Sequence, residues 1–97
     1  MHIENQMPSL SKKGASRSEL EEVCNKYQDC IAIDWGNGEN GNLRFSSKAA
    51  LDNVNEPEYE KWSASCQSHC YPRFAAGGSG ECYIKTTGYE IIGQGWC

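Results

Sequence analysis

The sequence contains little that is apolar. Hydrophobic residues fill only 38% of its 97 positions, and no apolar run approaches the length of a membrane-spanning helix, so bilayer insertion is not expected. Basic residues are also sparse. Lys and Arg total 9 against 13 Asp and Glu, for a net charge of −4, and the short cluster Lys12, Lys13 and Arg17 reads as a solvated tail. A nucleic-acid partner would need a denser positive patch, so none is expected. No Asn-x-Ser/Thr acceptor occurs, so N-linked sugar does not mask the surface. The opening MHIENQMPSLSKKGAS lacks the apolar core of a signal peptide, which fits a removed leader or a module of a longer secreted chain. The closing GWC reads as if a neighbouring module followed.

Cysteine, in contrast, is abundant. Cys24, Cys30, Cys66, Cys70, Cys82 and Cys97 make six, enough for three bridges. A chain this short buries little surface relative to what it exposes, so disulfides or a metal usually supplement the core. Cysteine at this density points to an extracellular or cell-surface location. The alternative is a zinc-stabilised intracellular interaction domain using Cys66, His69, Cys70 and Cys82, since thiolate and imidazole are ligands zinc prefers. That set leaves Cys24, Cys30 and Cys97 over, so disulfides are the preferred reading, with no metal and no other cofactor. A secreted inhibitor or toxin-like effector would share the bridges and differ only in target.

Catalysis has few footholds. A thiol nucleophile needs a base, and the histidines are His2 and His69 only; His69 adjoins Cys70, but sequence neighbours seldom face one substrate together. GGSGE, residues 77–81, departs from a serine nucleophile elbow at Glu81, where a glycine is needed. Carboxylate pairs such as Glu21 with Glu22 and Glu58 with Glu60 read as solvated faces. The chain is not expected to be an enzyme.

CIAIDWGNGENGNLRFSS, residues 30–47, could be a calcium loop or a hairpin. Counted from Asp34, the third and fifth positions are glycines, the sixth is Glu39 and the twelfth is Phe45, so the oxygen ligands and the bend glycine of an EF-hand are missing. Ile31, Ile33 and Trp35 alternate with Ala32 and Asp34, and Leu43 and Phe45 flank Arg44. That is the period of half-buried strands around an Asn-Gly turn, and it predicts a β-hairpin.

Ahead of it, Ser16 with Glu19, or Ser18 with Glu21, has capping-box spacing. Leu20, Val23, Cys24 and Tyr27 then mark one face of a short helix ending near Lys26 to Asp29. A Cys24–Cys30 bridge would pin the helix's last turn to the first hairpin strand. Residues 1–15 are polar and without periodicity, predicting a flexible arm or a loosely held edge strand, so the folded domain is placed at 16–97. SSKAALDNVNEPEYEKW reads as a loop or short helix. AAGGSG is a flexible loop by composition, and CYIKTT and YEIIG read as short strands.

ASRSELEEVCNKYQDCIAIDWG together with ECYIKTTG resembles the PAN/apple family of extracellular modules. Cys24 and Cys30 match that family's forward bridge from helix to strand, and Cys82 with Tyr83, Ile84 and Lys85 matches its later cysteine-bearing strand. Leu20 stands where the family usually has a further helix cysteine, so Cys66 and Cys70 would supply that pairing, with Cys82 and Cys97 as partners in an unassigned order. The resemblance implies an α+β, disulfide-rich domain: a curved antiparallel sheet packed on one short helix. It also implies an adhesion or recognition role, binding protein or carbohydrate. Tyr71, Arg73 and Phe74, in CYPRF beside the glycine-rich loop, are the candidate contact residues, because exposed rings beside arginine anchor such ligands. Trp35 and Trp62 are expected to fill the small core.

Overall fold

The computed structural model describes residues 7–36, 40–62 and 66–97, with the backbone alone described at 75–79 and 96. Six strands and two short helices follow in the order β1 (Ser9–Lys13), α1 (Arg17–Cys24), β2 (Cys30–Gly36), β3 (Asn40–Phe45), α2 (Lys48–Asp52), β4 (Glu60–Trp62), β5 (Ala75–Lys85) and β6 (Tyr89–Trp96). The strands form one sheet in the order β4-β1-β3-β2-β5-β6, and every neighbouring pair is antiparallel.

Helix α1 starts where its cap is. The Ser16 hydroxyl accepts from the Glu19 amide at 3.2 Å, which satisfies one of the orphan donors of the first turn. The reciprocal half of a capping box is not used: the Glu19 carboxylate instead receives Lys12 Nζ at 2.7 Å and the Tyr59 hydroxyl at 2.8 Å. This ion pair and hydrogen bond hold the Glu19 carboxyl below its usual range and tie α1 to β1 and to the approach to β4. The last turn is closed from β5. Lys85 Nζ donates to the carbonyls of Cys24 and Tyr27 at 2.9 and 3.1 Å, placing a cation at the negative end of the helix. Asn25 caps α1, earlier than the predicted end, and the Cys24–Cys30 bridge then joins helix to strand.

The apolar face of α1, formed by Leu20, Val23 and Cys24, packs on one side of the sheet against Leu10, Ile33, Leu43, Phe45 and Tyr83. Close approach requires Gly41: a Cβ there would lie 2.7 Å from Leu20 Cδ1. Leu51 and Val54, in and just after α2, complete this core, and Trp35 packs against it as expected.

Several expectations change. The hairpin forms between β2 and β3; of its two Asn-Gly pairs, Asn40-Gly41 lies within β3 and Asn37-Gly38 lies outside the described residues. β2 is not half-buried: Ala32 and Asp34, on the side away from α1, are as inaccessible as Ile33. The sheet packs on two short helices, not one. Of the arm expected over residues 1–15, residues 1–6 lie outside the described residues, but Met7, Pro8 and Leu10 are fully buried. β1 runs inside the sheet between β3 and β4, because Ser9 and Ser11 are buried by hydrogen bonding, which an apolar count cannot register. The glycine-rich AAGGSG belongs to β5 and not to a loop. Ala75 and Ala76 pair with Trp96 and Gly95, and Gly80 pairs with Gly36, across an irregularity between Ala76 and Glu81. The cysteines pair locally, Cys66 with Cys70 and Cys82 with Cys97, so the pairing between those two sets does not occur.

A Gly41→Val substitution is expected to destabilise the domain by about 1–3 kcal/mol through overpacking against Leu20, read from the denaturant midpoint at constant slope. Stability should also fall in alkali. Burial and the nearby Glu21 carboxylate push Tyr89 up from its ordinary value near 10 to about 12. A folded pKa above the unfolded one stabilises fully below pH 10 and loses that contribution as pH rises through 12. Denaturation series between neutral pH and pH 11 should show the decline, and Tyr89→Phe should make it shallower.

Candidate binding face of the sheet

The side of the sheet away from α1 is read off the strand registers. Ser9 pairs with Trp62 on β4 and with Arg44 on β3, and Arg44 with Ala32 on β2. Two residues along each of these strands, Glu60, Ser11, Asn42, Asp34, Cys82 and Gly93 form a second transverse row across all six strands. Neighbouring strands bring such residues about 5 Å apart, so side chains from distant segments meet in two polar ladders.

Asp34 is the centre of this face and is 0% exposed. Its Oδ2 accepts from Arg44 Nη2 at 2.6 Å, Arg44 Nε at 3.0 Å and the Cys97 amide at 3.0 Å. Its Oδ1 accepts from Asn42 Nδ2 at 2.6 Å. Arg44, whose side chain is 12% exposed, spends a third donor on Ser9 Oγ at 2.7 Å. Ser9 Oγ in turn donates to the Met7 carbonyl at 2.8 Å, and Ser11 Oγ donates to Asn42 Oδ1. A buried carboxylate is tolerated only with this degree of pairing. No buried side-chain nitrogen or oxygen among the described residues is left without a partner.

At the β4 end the ladder is open to solvent. Trp62, expected in the core, is 55% exposed, because β4 is a three-residue edge strand and its third residue projects beside Ser9 on the face that α1 does not cover. Ser9, Ser11, Asn40, Asn42, Arg44 and Trp62 line a hollow of about 190 Å³. A second hollow of about 600 Å³ shares Ser11 and Asn40 with it and continues along Lys12, Lys13, Glu58 and Glu60.

The residues singled out in CYPRF lie elsewhere. Tyr71 is 59% exposed and Phe74 39%, and the Arg73 guanidinium sits 5.7 Å from the centre of the Tyr71 ring. Phe74 is partly committed to the sheet, since its ring lies over Gly93, where a Cβ would come within 2.5 Å of it. The three therefore sit together near the β6 end, while Trp62 projects from β4 at the opposite edge of the sheet.

All six cysteines are oxidised in pairs. The zinc set considered from sequence is dismantled by this pairing, because Cys66 and Cys70 bond each other and Cys82 bonds Cys97. The same bond removes Cys70 as a thiol beside His69, which is exposed and held at φ 54° inside the small CQSHC ring. That ring is anchored to the start of α2 by the Lys48 amide on the Gln67 carbonyl and the Cys70 amide on the Ser46 carbonyl, at 2.9 and 2.8 Å. Among the described residues, no helix is long and apolar enough to cross a membrane. No family model matches this chain, and no curated protein or solved structure matches it significantly.

Removing one member of the central pair should be costly. Asp34→Ala leaves Arg44, the Asn42 amide and the Cys97 amide without their acceptor, for a loss of about 3–5 kcal/mol. The double variant Asp34→Leu with Arg44→Met should recover much of it, measured by equilibrium denaturation.

Proposed function

We infer that this chain is an extracellular recognition module on the PAN/apple plan, binding a protein or glycan partner through its open sheet face and carrying out no chemistry on it. The observation that carries this reading is the open face itself: an exposed indole stands at the end of a polar ladder held in place by its own hydrogen bonds, on the side of the sheet that neither helix covers. Polar groups already held by hydrogen bonds lose little freedom on binding, so a ligand does not have to order them. The three bridges are compatible with an extracellular setting and rigidify a scaffold whose core is small. The likeness to PAN/apple modules supports the reading through Cys24, Cys30 and the ECYIK strand.

Intact-mass measurement on natively purified protein, with and without reduction and alkylation, tests the foundation. Six protected cysteines without bound metal are expected. Reduction should then abolish cooperative melting, since the Cys82–Cys97 loop, spanning a separation of 15 residues, alone contributes about 3 kcal/mol against a total of roughly 5–15 for a typical domain. Six free thiols with stoichiometric zinc, or melting unchanged by reductant, would overturn the reading.

A further inference from the structure

We propose that the hollow between Trp62 and Arg44 is a binding site for an uncharged sugar ring, with Trp62 as the stacking platform. The proposal rests on the chain being a recognition module and names what its open face recognises.

A pyranose presents two kinds of surface. Its C–H face is apolar and packs on an aromatic ring, while its hydroxyls project outward and both donate and accept hydrogen bonds. The hollow offers the complement of each. Trp62 supplies the ring, and Ser9 on β1 lies between it and Arg44, so the backbones that carry the indole and the guanidinium are two strand spacings, about 10 Å, apart, with Arg44 Nη1 reaching to Ser9 Oγ at 2.7 Å. The polar groups between them are preset and not exhausted. Arg44 has five N–H donors, three of them engaged by Asp34 and Ser9, which leaves two. Asn42 uses one Nδ2 hydrogen on Asp34 and one lone pair of Oδ1 on Ser11, which leaves a donor and an acceptor. Asn40, exposed at the start of β3, adds a further amide to the lining. Donors and acceptors are therefore mixed, as a polyol requires.

Charge selects against an anion. Among the described residues, Arg44 is the one ionic side chain lining the hollow, and the buried Asp34 carboxylate neutralises it at 2.6 Å. A sulfate or phosphate group would meet a guanidinium whose charge is already spent. Size is consistent with a single ring, because about 190 Å³ falls below the roughly 300–1,000 Å³ of drug-sized sites. The adjoining hollow, sharing Ser11 and Asn40, gives a path for further units of an oligosaccharide. A protein partner is less well served, since the hollow's lining includes one large apolar side chain and protein interfaces need an apolar centre built from several.

The test uses the oxidised chain and a panel of methyl glycosides and short oligosaccharides of neutral hexoses and N-acetylhexosamines, with sulfated and sialylated counterparts alongside. Saturable shifts of the Trp62 indole N–H and the Asn40 and Asn42 side-chain amides are expected in NMR titration with at least one neutral sugar. Affinity should not change with added salt. Trp62→Ala should weaken it by about tenfold or more while the melting transition stays in place, as the side chain is exposed; Trp62→Phe should fall between, and Tyr71→Ala should match wild type. The proposal is overturned if no neutral sugar at millimolar concentration shifts Trp62, if only the charged sugars bind and do so in a salt-dependent way, or if Tyr71→Ala removes binding that Trp62→Ala leaves intact. That last result would leave the recognition reading standing and move its site to CYPRF, whereas free thiols with zinc would remove the reading itself.

Discussion

The carboxylate of Asp34 is the point on which the sheet turns. It lies in the middle of β2, fully out of solvent, on the side opposite α1. Taking a charge to such a place costs several kcal/mol unless each lone pair is met, and here the partners come from β3 through Arg44 and Asn42 and from the backbone of Cys97. Arg44 passes the constraint on to β1 through Ser9, and Asn42 passes it on through Ser11. A slip of one residue between β1 and β3 would turn Ser9 and Ser11 toward α1 and leave the ladder broken. The buried charge thus acts less as a source of stability than as a device that fixes register, in a strand whose sequence SLSKK would otherwise specify it weakly.

The two sides of the sheet are organised by different physics. Toward the helices, apolar side chains exclude water, with Gly41 setting how near Leu20 may come. Away from them, order comes from hydrogen bonds, and the transition to solvent at Trp62 is abrupt because β4 is short. The disulfides reinforce the first arrangement at Cys24–Cys30 and the second at Cys82–Cys97, where the bridge also delivers the Cys97 amide to Asp34.

The legibility of the sequence follows this division. The helix was readable because Ser16 is a cap and Leu20, Val23 and Cys24 recur at helical spacing. The β2–β3 hairpin was readable because its inward residues alternate around glycine and asparagine. β1 was not, since its buried Ser9 and Ser11 carry no hydrophobic signal, and the glycine-rich start of β5 was not, since composition suggests freedom where backbone pairing removes it. The candidate site was illegible for a further reason. Its residues come from β1, β3 and β4, spread from Ser9 to Trp62 along the chain, and only strand order unites them. The one available hint was the polarity of Asp34 and Arg44 inside otherwise apolar strands, which suits a solvated face as readily as a buried pair. Tyr71 and Phe74 are exposed, but the Phe74 ring is partly held over Gly93.

The Cys82–Cys97 bridge also determines how the sheet carries load. A pull applied at Cys97 passes through the sulfur atoms to Cys82 in the interior of β5 and bypasses Tyr89–Trp96. The edge strand is enclosed in a covalent ring and cannot be peeled from the sheet by tension from that side. Force must instead shear β5 from β2, across five paired positions loaded together, so the domain would transmit tension as a stiff link while the sheet face that bears Trp62 keeps its shape.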